Sequence, residues 1–331
     1  MRHILVGGNG FVGRAIVDRI VADQEDEAVV VDLPQSLAAR PVLCHTAISD
    51  YSADISVPGS LDSLAVGPDD VIHHLATMLI SPNKPRFGRD EYFRKCAVHG
   101  TRELIAWLKK NGGRKLVFWS TDMVYGPVLE VPRTENHPMK PFGPYGRSKV
   151  AAENIVRNEV AAGHLDCTIF RPRLILGAGR VGIFKLLFDA VNAGRPVPLI
   201  GPGTTRFPFV GVDDCATASL LAAKRGCPNG VYNLTNDNSP QVYELMTEFV
   251  RKIGSSSRIV RTPAWLVKGV LRSLNAFKMA PMDPEQYEIA DLEVGLDTSA
   301  AKRDLDWAPT STDMELLLAA YRAYSKGISC K

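Results

Sequence analysis

The first half of the chain alternates two hydrophobic patterns. Short, nearly continuous Val/Ile/Leu runs cover His3–Val6, Ala28–Asp32, Val42–Thr46, Val71–Leu75, Lys115–Ser120 and Cys167–Arg171. An unbroken apolar run of this length fits a strand buried on both faces. Between the runs, apolar positions recur at helical spacing, as in Phe11–Ala22, Tyr92–Lys110 and Tyr145–Ala161. This alternation predicts an α/β fold, a doubly wound parallel sheet with helices on both faces. After about Arg171 the rhythm breaks. Gly and Pro cluster in Gly177–Gly182 and Arg195–Pro208, with short strands expected at Val197–Ile200 and Pro208–Val212. Amphipathic helices are expected near Val242–Ile253 and Thr312–Tyr324. The expected division is a sheet unit over residues 1–171 and a smaller, irregular C-terminal lobe over 172–331, with segments near 206–234 returning to the sheet.

Composition narrows the choice. The 331 residues are 45% apolar and 23% charged, which excludes disorder, collagen-like repeats and coiled coil. Lys plus Arg number 39 against 36 Asp plus Glu, and the net charge of +3 is too small to draw nucleic acid or an anionic membrane. Cys44, Cys96, Cys167, Cys215, Cys227 and Cys330 form no C-x-x-C pair and have no His at zinc-ligand spacing. No metal site is expected, and the cysteines read as reduced thiols of a cytoplasmic protein. No stretch approaches the roughly 18 apolar residues of a membrane span. The apolar run after Met1-Arg2-His3 stops at Gly7, too short for a secretory leader. One late stretch, Pro263–Met279, spaces Trp265, Leu266, Val270, Leu274 and Phe277 helically among Lys268, Arg272 and Lys278. A basic amphipathic helix can lie on a membrane. Core, or the lid of an apolar substrate pocket, is the preferred reading.

Candidate chemistry begins where the first strand ends. Gly7, Gly10 and Gly13 follow it at G-x-x-G-x-x-G spacing, with a helix pattern from Phe11 and Val12 onward. Glycines there let the backbone approach a pyrophosphate at a helix N-terminus, where free N–H groups favour anions. A tight strand–helix turn would look the same, but the second strand adds weight by ending in Asp32, 19 residues after Gly13. A carboxylate at that point accepts from both hydroxyls of an adenosine ribose and repels a 2′-phosphate. NAD is therefore expected over NADP, and no Arg follows in Leu33-Pro34 to argue otherwise.

Tyr145 and Lys149 form a Y-x-x-x-K at a helix start, on one helix face. An ammonium about 4 Å from a phenolate is worth roughly 4 kcal/mol at an effective dielectric near 20. That suffices to bring a phenol from about 10 to about 7 or 8, where it exchanges protons readily. The pair arises often by chance on solvated helices. Just before it, Ser120-Thr121-Asp122-Met123 follows the fifth strand, at the carboxyl edge where doubly wound sheets bind ligands. Thr121 or Ser120 is positioned to hydrogen-bond a reacting oxygen.

Together these segments resemble the extended short-chain dehydrogenase/reductases, the NAD-dependent epimerase/dehydratase group, over essentially the whole chain. Asp54-Ile55, His74-Leu75-Ala76-Thr77, Gly100-Thr101, Tyr125-Gly126, Arg171-Pro172, Arg206 through Asp214 and Tyr232-Asn233 add to the likeness. The resemblance implies a Rossmann fold and hydride transfer at a secondary alcohol or ketone carbon of a small molecule. Asp54 and Ile55 would flank the adenine, and Leu75, Ala76 and Thr77 would line the cofactor. Pro172 would face the nicotinamide. Thr121 would be the catalytic hydroxyl and Tyr145 the acid/base. Lys149 would lower the phenol pKa and hold the nicotinamide ribose. The helices Tyr92–Lys110 and Tyr145–Ala161 would form a homodimer interface.

Departures from the pattern narrow the reaction. Dehydratases of the group carry Thr-Asp-Glu after the fifth strand; here Met123 takes the place of the Glu and cannot accept a proton. Asp122 remains as a substrate ligand or auxiliary acid, or as a solvated loop residue. The Asn expected three residues after Arg171 is Leu174, so a nucleotide-diphosphate contact is missing, and the run resembles the 3β-hydroxysteroid dehydrogenase-like branch. Arg206 instead resembles a phosphate-binding arginine of the sugar-nucleotide enzymes, with a salt bridge to Asp213 or Asp214 as its structural alternative. Arg173 and Met123 complete the expected substrate contacts. Ala97 replaces an Asn that positions the lysine in relatives, and His99 reads as a surface residue. A sugar-nucleotide epimerase and a non-catalytic NAD-sensing protein are the rival readings.

Overall fold

The apolar runs pair side by side in the computed structural model, which describes residues 1–42, 44–78, 85, 87–277, 279–280 and 284–329. The chain begins with β1 (Arg2–Val6), α1 (Phe11–Asp23), β2 (Glu27–Asp32), α2 (Pro34–Ala39), β3 (Ile48–Ser52) and β4 (Val71–His74). There follow α3 (Arg89–Arg94), α4 (Thr101–Asn111), β5 (Lys115–Trp119), α5 (Pro144–Ala161) and β6 (Asp166–Pro172). The second half holds β7 (Leu174–Leu176), α6 (Phe184–Asn192), β8 (Val197–Ile200), β9 (Phe209–Gly211), α7 (Val212–Lys224) and β10 (Gly230–Leu234). It closes with α8 (Val242–Lys252), β11 (Ile259–Thr262), α9 (Ala264–Ala276), α10 (Pro284–Tyr287), α11 (Ser299–Leu305) and α12 (Asp313–Ser329).

Seven strands form one parallel sheet in the order β3-β2-β1-β4-β5-β6-β10. Successive side chains of a strand point to opposite faces. Leu5 of β1 packs with Ile16, Val30, Ala216 and Trp307 on one side. Its neighbours Ile4 and Val6 pack with Leu104, Leu108, Ala152 and Val156 on the other. Both faces are dry, which is why the strands read as unbroken apolar runs. The strand order turns between β1 and β4, and a crevice opens there at the carboxyl ends. In the second half, Phe188, Phe209, Phe249 and Leu317 gather α6, β9, α8 and α12 into a separate cluster.

The structure corrects several boundaries. The third strand is Ile48–Ser52, not Val42–Thr46. As the sheet edge it is half exposed and carries Ser49, Asp50 and Ser52, so the search for an apolar run passed over it. Val42 instead packs from a loop against the core, and Leu43 lies outside the described residues. The helix expected over Tyr92–Lys110 starts at Arg89 and contains a π-helical stretch, Lys95–Gly100. Of the two segments expected back at the sheet, Gly230–Leu234 pairs with β6. Phe209–Gly211 pairs with β7, outside the main sheet. Among the described residues no helix is long and apolar enough to cross a membrane. Cys330 and Lys278 lie outside the described residues.

Beneath the crevice, α5 is locked to β6 by a buried ion pair. Glu153 takes Nε and Nη2 of Arg171 at 3.0 and 2.6 Å. Both side chains are excluded from solvent. Removing one partner of such a pair leaves a buried charge and costs about 3–5 kcal/mol. Glu153→Gln is expected to lower the unfolding free energy by about that amount, read as a lower urea midpoint at unchanged slope. A midpoint equal to that of the parent protein would refute the assignment.

Candidate active site

The crevice is shaped first by glycine. Gly7 sits at φ +81°, and a Cβ there would lie 2.5 Å from the Ala76 backbone nitrogen. A Cβ on Gly13 would lie 2.4 Å from the Gly8 carbonyl oxygen, so α1 presses against the turn that precedes it. Gly10 caps α1 without a side-chain bond, and the first turn carries no acid. Its free amides and dipole favour an anion. Asp32, at the end of β2, accepts from the backbone N–H groups of Asn9 at 3.0 Å and Leu33 at 2.8 Å. These bonds fix the carboxylate while leaving lone pairs for hydroxyl donors.

One cavity of about 860 Å³ takes in all of this. Gly7, Gly10, Phe11, Val12, Gly13, Asp32 and Leu33 line it from the first two strands. Asp54 and Ile55 join from beyond β3, Leu75, Ala76 and Thr77 from beyond β4, and Pro172 from the end of β6. Thr121, Asp122, Met123, Tyr145, Lys149 and Arg173 line the same space. The uncapped helix start, the fixed Asp32 carboxylate and the Cβ-free floor at Gly7 fit a dinucleotide.

The two candidate hydroxyls are resolved by their partners. Ser120 donates to buried Glu153 and is thereby committed to the support of α5. Thr121 Oγ1 accepts from the Met123 N–H at 3.3 Å, which leaves its own proton to give into the cavity. Asp122 is not a solvated loop residue. It is buried, and its Oδ2 accepts from Arg173 Nη1 at 2.8 Å and Arg133 Nη2 at 3.2 Å. Arg173 is stacked 4.0 Å over the Phe207 ring. Arg206 does not reach the cavity, whose wall there is Thr205 and Phe207. Its side chain is 56% exposed, and its guanidinium lies 3.9 Å from Glu293 rather than beside Asp213 or Asp214. Asp214 is taken by Thr310.

The tyrosine–lysine pair differs from expectation. Burial pushes the Tyr145 phenol up to about 12, against the pull of the Arg180 cation, instead of down toward neutrality. Lys149 directs its ammonium to the Trp119 carbonyl at 2.9 Å. Burial brings that ammonium down to about 8, opposed by Cys96 and Glu153. The expected drop assumed an ammonium against the phenol in a partly aqueous site; here desolvation outweighs the attraction. Ala97 is buried in the π-helical stretch, where its carbonyl accepts from Thr101 Oγ1 at 2.6 Å, and His99 is exposed.

Two charged residues of the cavity escaped the sequence reading. Glu285 accepts from the N–H groups of Tyr145 at 3.2 Å and Gly146 at 3.3 Å, a carboxylate at the N-terminus of α5. Nothing in the sequence pointed to it, since it lies 140 residues away. Arg180 lines the cavity with its guanidinium 6.0 Å from the Phe11 ring. A lone cation inside the Gly177–Gly182 cluster was the available clue.

Comparison with known proteins agrees with this geometry. A model of the NAD dependent epimerase/dehydratase family matches residues 3–235. The chain belongs to that family. Among its relatives, a UDP-glucose 4-epimerase of Mycolicibacterium smegmatis is 28% identical, over 93% of this chain and 94% of its own. A 4-hydroxy-2-methyl-3-oxo-4-farnesyl-3,4-dihydroquinoline-1-oxide ketoreductase of Stigmatella aurantiaca is 26% identical, over 99% of this chain and 98% of its own. Among solved structures, a dTDP-glucose 4,6-dehydratase of Streptomyces venezuelae with NAD bound superimposes at a TM-score of 0.78. It is 24% identical, covering 100% of this chain and 98% of its own. This member of the NAD dependent epimerase/dehydratase family shares its overall fold with that solved structure.

A buried phenol has a direct optical test. In an ultraviolet titration of the protein without cofactor, subtracting Tyr145→Phe from the parent chain should leave no phenolate absorbance below pH 10. A difference signal rising near pH 7 or 8 would refute the raised pKa.

Proposed function

We propose that the chain is an NAD-dependent oxidoreductase acting at a secondary alcohol or ketone carbon of a small molecule. The observation that carries this is the meeting of Thr121, Tyr145 and Lys149 in one cavity with the glycine turn and Asp32. Bound NAD supplies a hydride acceptor or donor. The chain supplies position and protons. Asp32 takes the ribose hydroxyls of the adenosine, the α1 N-terminus takes the pyrophosphate, and Lys149 takes the nicotinamide ribose. Thr121 donates to the reacting oxygen. Tyr145 rests as a phenol, which suits it to give a proton to a carbonyl oxygen and to recover one from solvent.

Met123 in place of a carboxylate argues against elimination of water, since no base stands there. Epimerisation uses the same residues, and two relatives of different activity bracket the choice. Engagement of Arg173 by Asp122 and the outward placement of Arg206 favour net oxidation or reduction over a nucleotide-sugar reaction. The described cysteines are unpaired thiols, which accords with a cytoplasmic protein. We also infer a homodimer through the outward faces of α4 and α5, where Ala106 and Ala151 are small enough for close helix approach.

Tyr145→Phe should retain NAD binding by fluorescence titration and lose turnover. Thr121→Ala should lower kcat by about 10²–10³, as the loss of one oxygen-stabilising donor does, while Ser120→Ala loses stability more than rate. Full activity in Tyr145→Phe would sink the mechanism. Substrate-dependent change at the reduced-nicotinamide absorbance band in bulk NAD marks net redox chemistry, and its absence with product formation marks an epimerase. Sedimentation velocity at micromolar concentration should give the mass of two chains; a single-chain mass would refute the dimer.

A further inference from the structure

The cavity has a second wall, drawn from the C-terminal half, and its chemistry differs from the first. Leu174 of β7, Leu187 of α6, Leu199 of β8, Met246 of α8, and Val267 and Leu271 of α9 line it. Two of the polar side chains near them are already engaged. Thr262 Oγ1 donates to the Leu199 carbonyl. Arg173 is bonded to Asp122 and covered by Phe207. Arg206 stands outside. A nucleoside diphosphate seated here would bury two phosphates and a row of hydroxyls against leucine, valine and methionine, with Arg180 as the one cation on this wall, among the described residues, not bonded to a carboxylate. Burial of unpaired phosphate charge is prohibitive. A carbon skeleton meets no such penalty and gains from the apolar area it covers.

The apolar surface also continues outward along α9. Leu266, Val270 and Phe277 are 48, 52 and 75% exposed and lie about a quarter turn from the cavity-facing Val267 and Leu271. Lys268 and Arg272 on the same helix are held by Asp291 and Glu288, so they do not interrupt that stripe with free charge.

We propose that the substrate is an apolar ketone or its secondary alcohol, a largely hydrocarbon molecule whose reacting oxygen is its chief polar group. This rests on the oxidoreductase reading above and specifies what it acts on. In the reducing direction the carbonyl carbon gains a hydride from the reduced nicotinamide, and the carbonyl oxygen gains a proton from Tyr145. The C=O double bond becomes C–H and O–H, and the nicotinamide is left oxidised. The C-terminal wall holds the skeleton, and α9 borders the path by which it enters.

The test is calorimetric binding to the full chain saturated with NAD. The probes are androstenedione and 2-tridecanone on one side, UDP-glucose and dTDP-glucose on the other. We expect saturable binding of at least one ketone and none of the nucleotide sugars. Val267→Glu should weaken the ketone at least tenfold while NAD affinity, measured separately by fluorescence, stays unchanged and reports an intact fold. Saturable binding of a nucleotide sugar, failure of both ketones to bind at their solubility limits, or a ketone affinity untouched by Val267→Glu would each overturn the proposal. A ketone that binds in this pattern without being turned over would leave the substrate class standing and defeat the catalytic reading instead.

Discussion

The carboxyl ends of β5 and β6 are organised around one buried guanidinium. Arg171 bonds Glu153 of α5 through Nε and Nη2. Its Nη1 donates to the Tyr125 hydroxyl and the Glu135 carbonyl, both at 3.0 Å. Tyr125 in turn donates to Asn233 of β10 at 2.6 Å. Asn233 donates through Nδ2 to the Arg133 carbonyl at 3.2 Å, and Arg133 reaches Asp122. One side chain thus ties α5, β6, β10 and the loop after β5 into a single network. Burying the Arg171 charge is tolerable because each of its own nitrogens is matched in this way. The placement of Thr121 and Tyr145, the proposed reacting groups, follows, because they stand on the two segments that Arg171 and Glu153 hold together.

The same network assigns roles among residues of like chemistry. Ser120 and Thr121 are adjacent hydroxyls that both border the cavity, yet only Ser120 gives its proton to Glu153. Asp122 and Glu153 are both buried carboxylates, and each is paired with arginine. The carboxylate of Glu285 has a different duty at the head of α5, holding the first turn where Tyr145 begins. Tyr145 is therefore held from two sides, by a helix cap below and by the Arg171 network beside it.

Most of this was legible where the physics is local. The two-sided burial of central strands leaves unbroken apolar runs, so β1, β2, β4, β5 and β6 stood out. The edge strand β3 did not, because one face meets water and its composition is polar. Glycine spacing marked the cofactor turn since a steric need at Gly7 and Gly13 admits no other residue. The fates of Arg206, Glu285 and Arg180 were not legible, for each depends on a partner that only tertiary folding supplies: Glu293, the α5 N-terminus and the neighbourhood of Tyr145. The charge state of Tyr145 failed for a related reason. Spacing places an ammonium on the same helix face, but it carries no information about how much water the fold removes.

That removal of water connects the mechanism to the substrate wall. Burial pushes Lys149 down to about 8 and Tyr145 up to about 12, so both shifts move the pair toward its uncharged forms. Away from the α1 N-terminus, the same loss of water penalises an anion that finds no partner and leaves a neutral skeleton unpenalised. The leucines and valines of the C-terminal wall and the protonated phenol are two expressions of one low-polarity environment. On the C-terminal wall a nucleotide sugar would find, among the described residues, only Arg180 as a cation not already bonded to a carboxylate. The proposed neutral ketone would enter without reversing that environment and would find the proton it needs still on Tyr145.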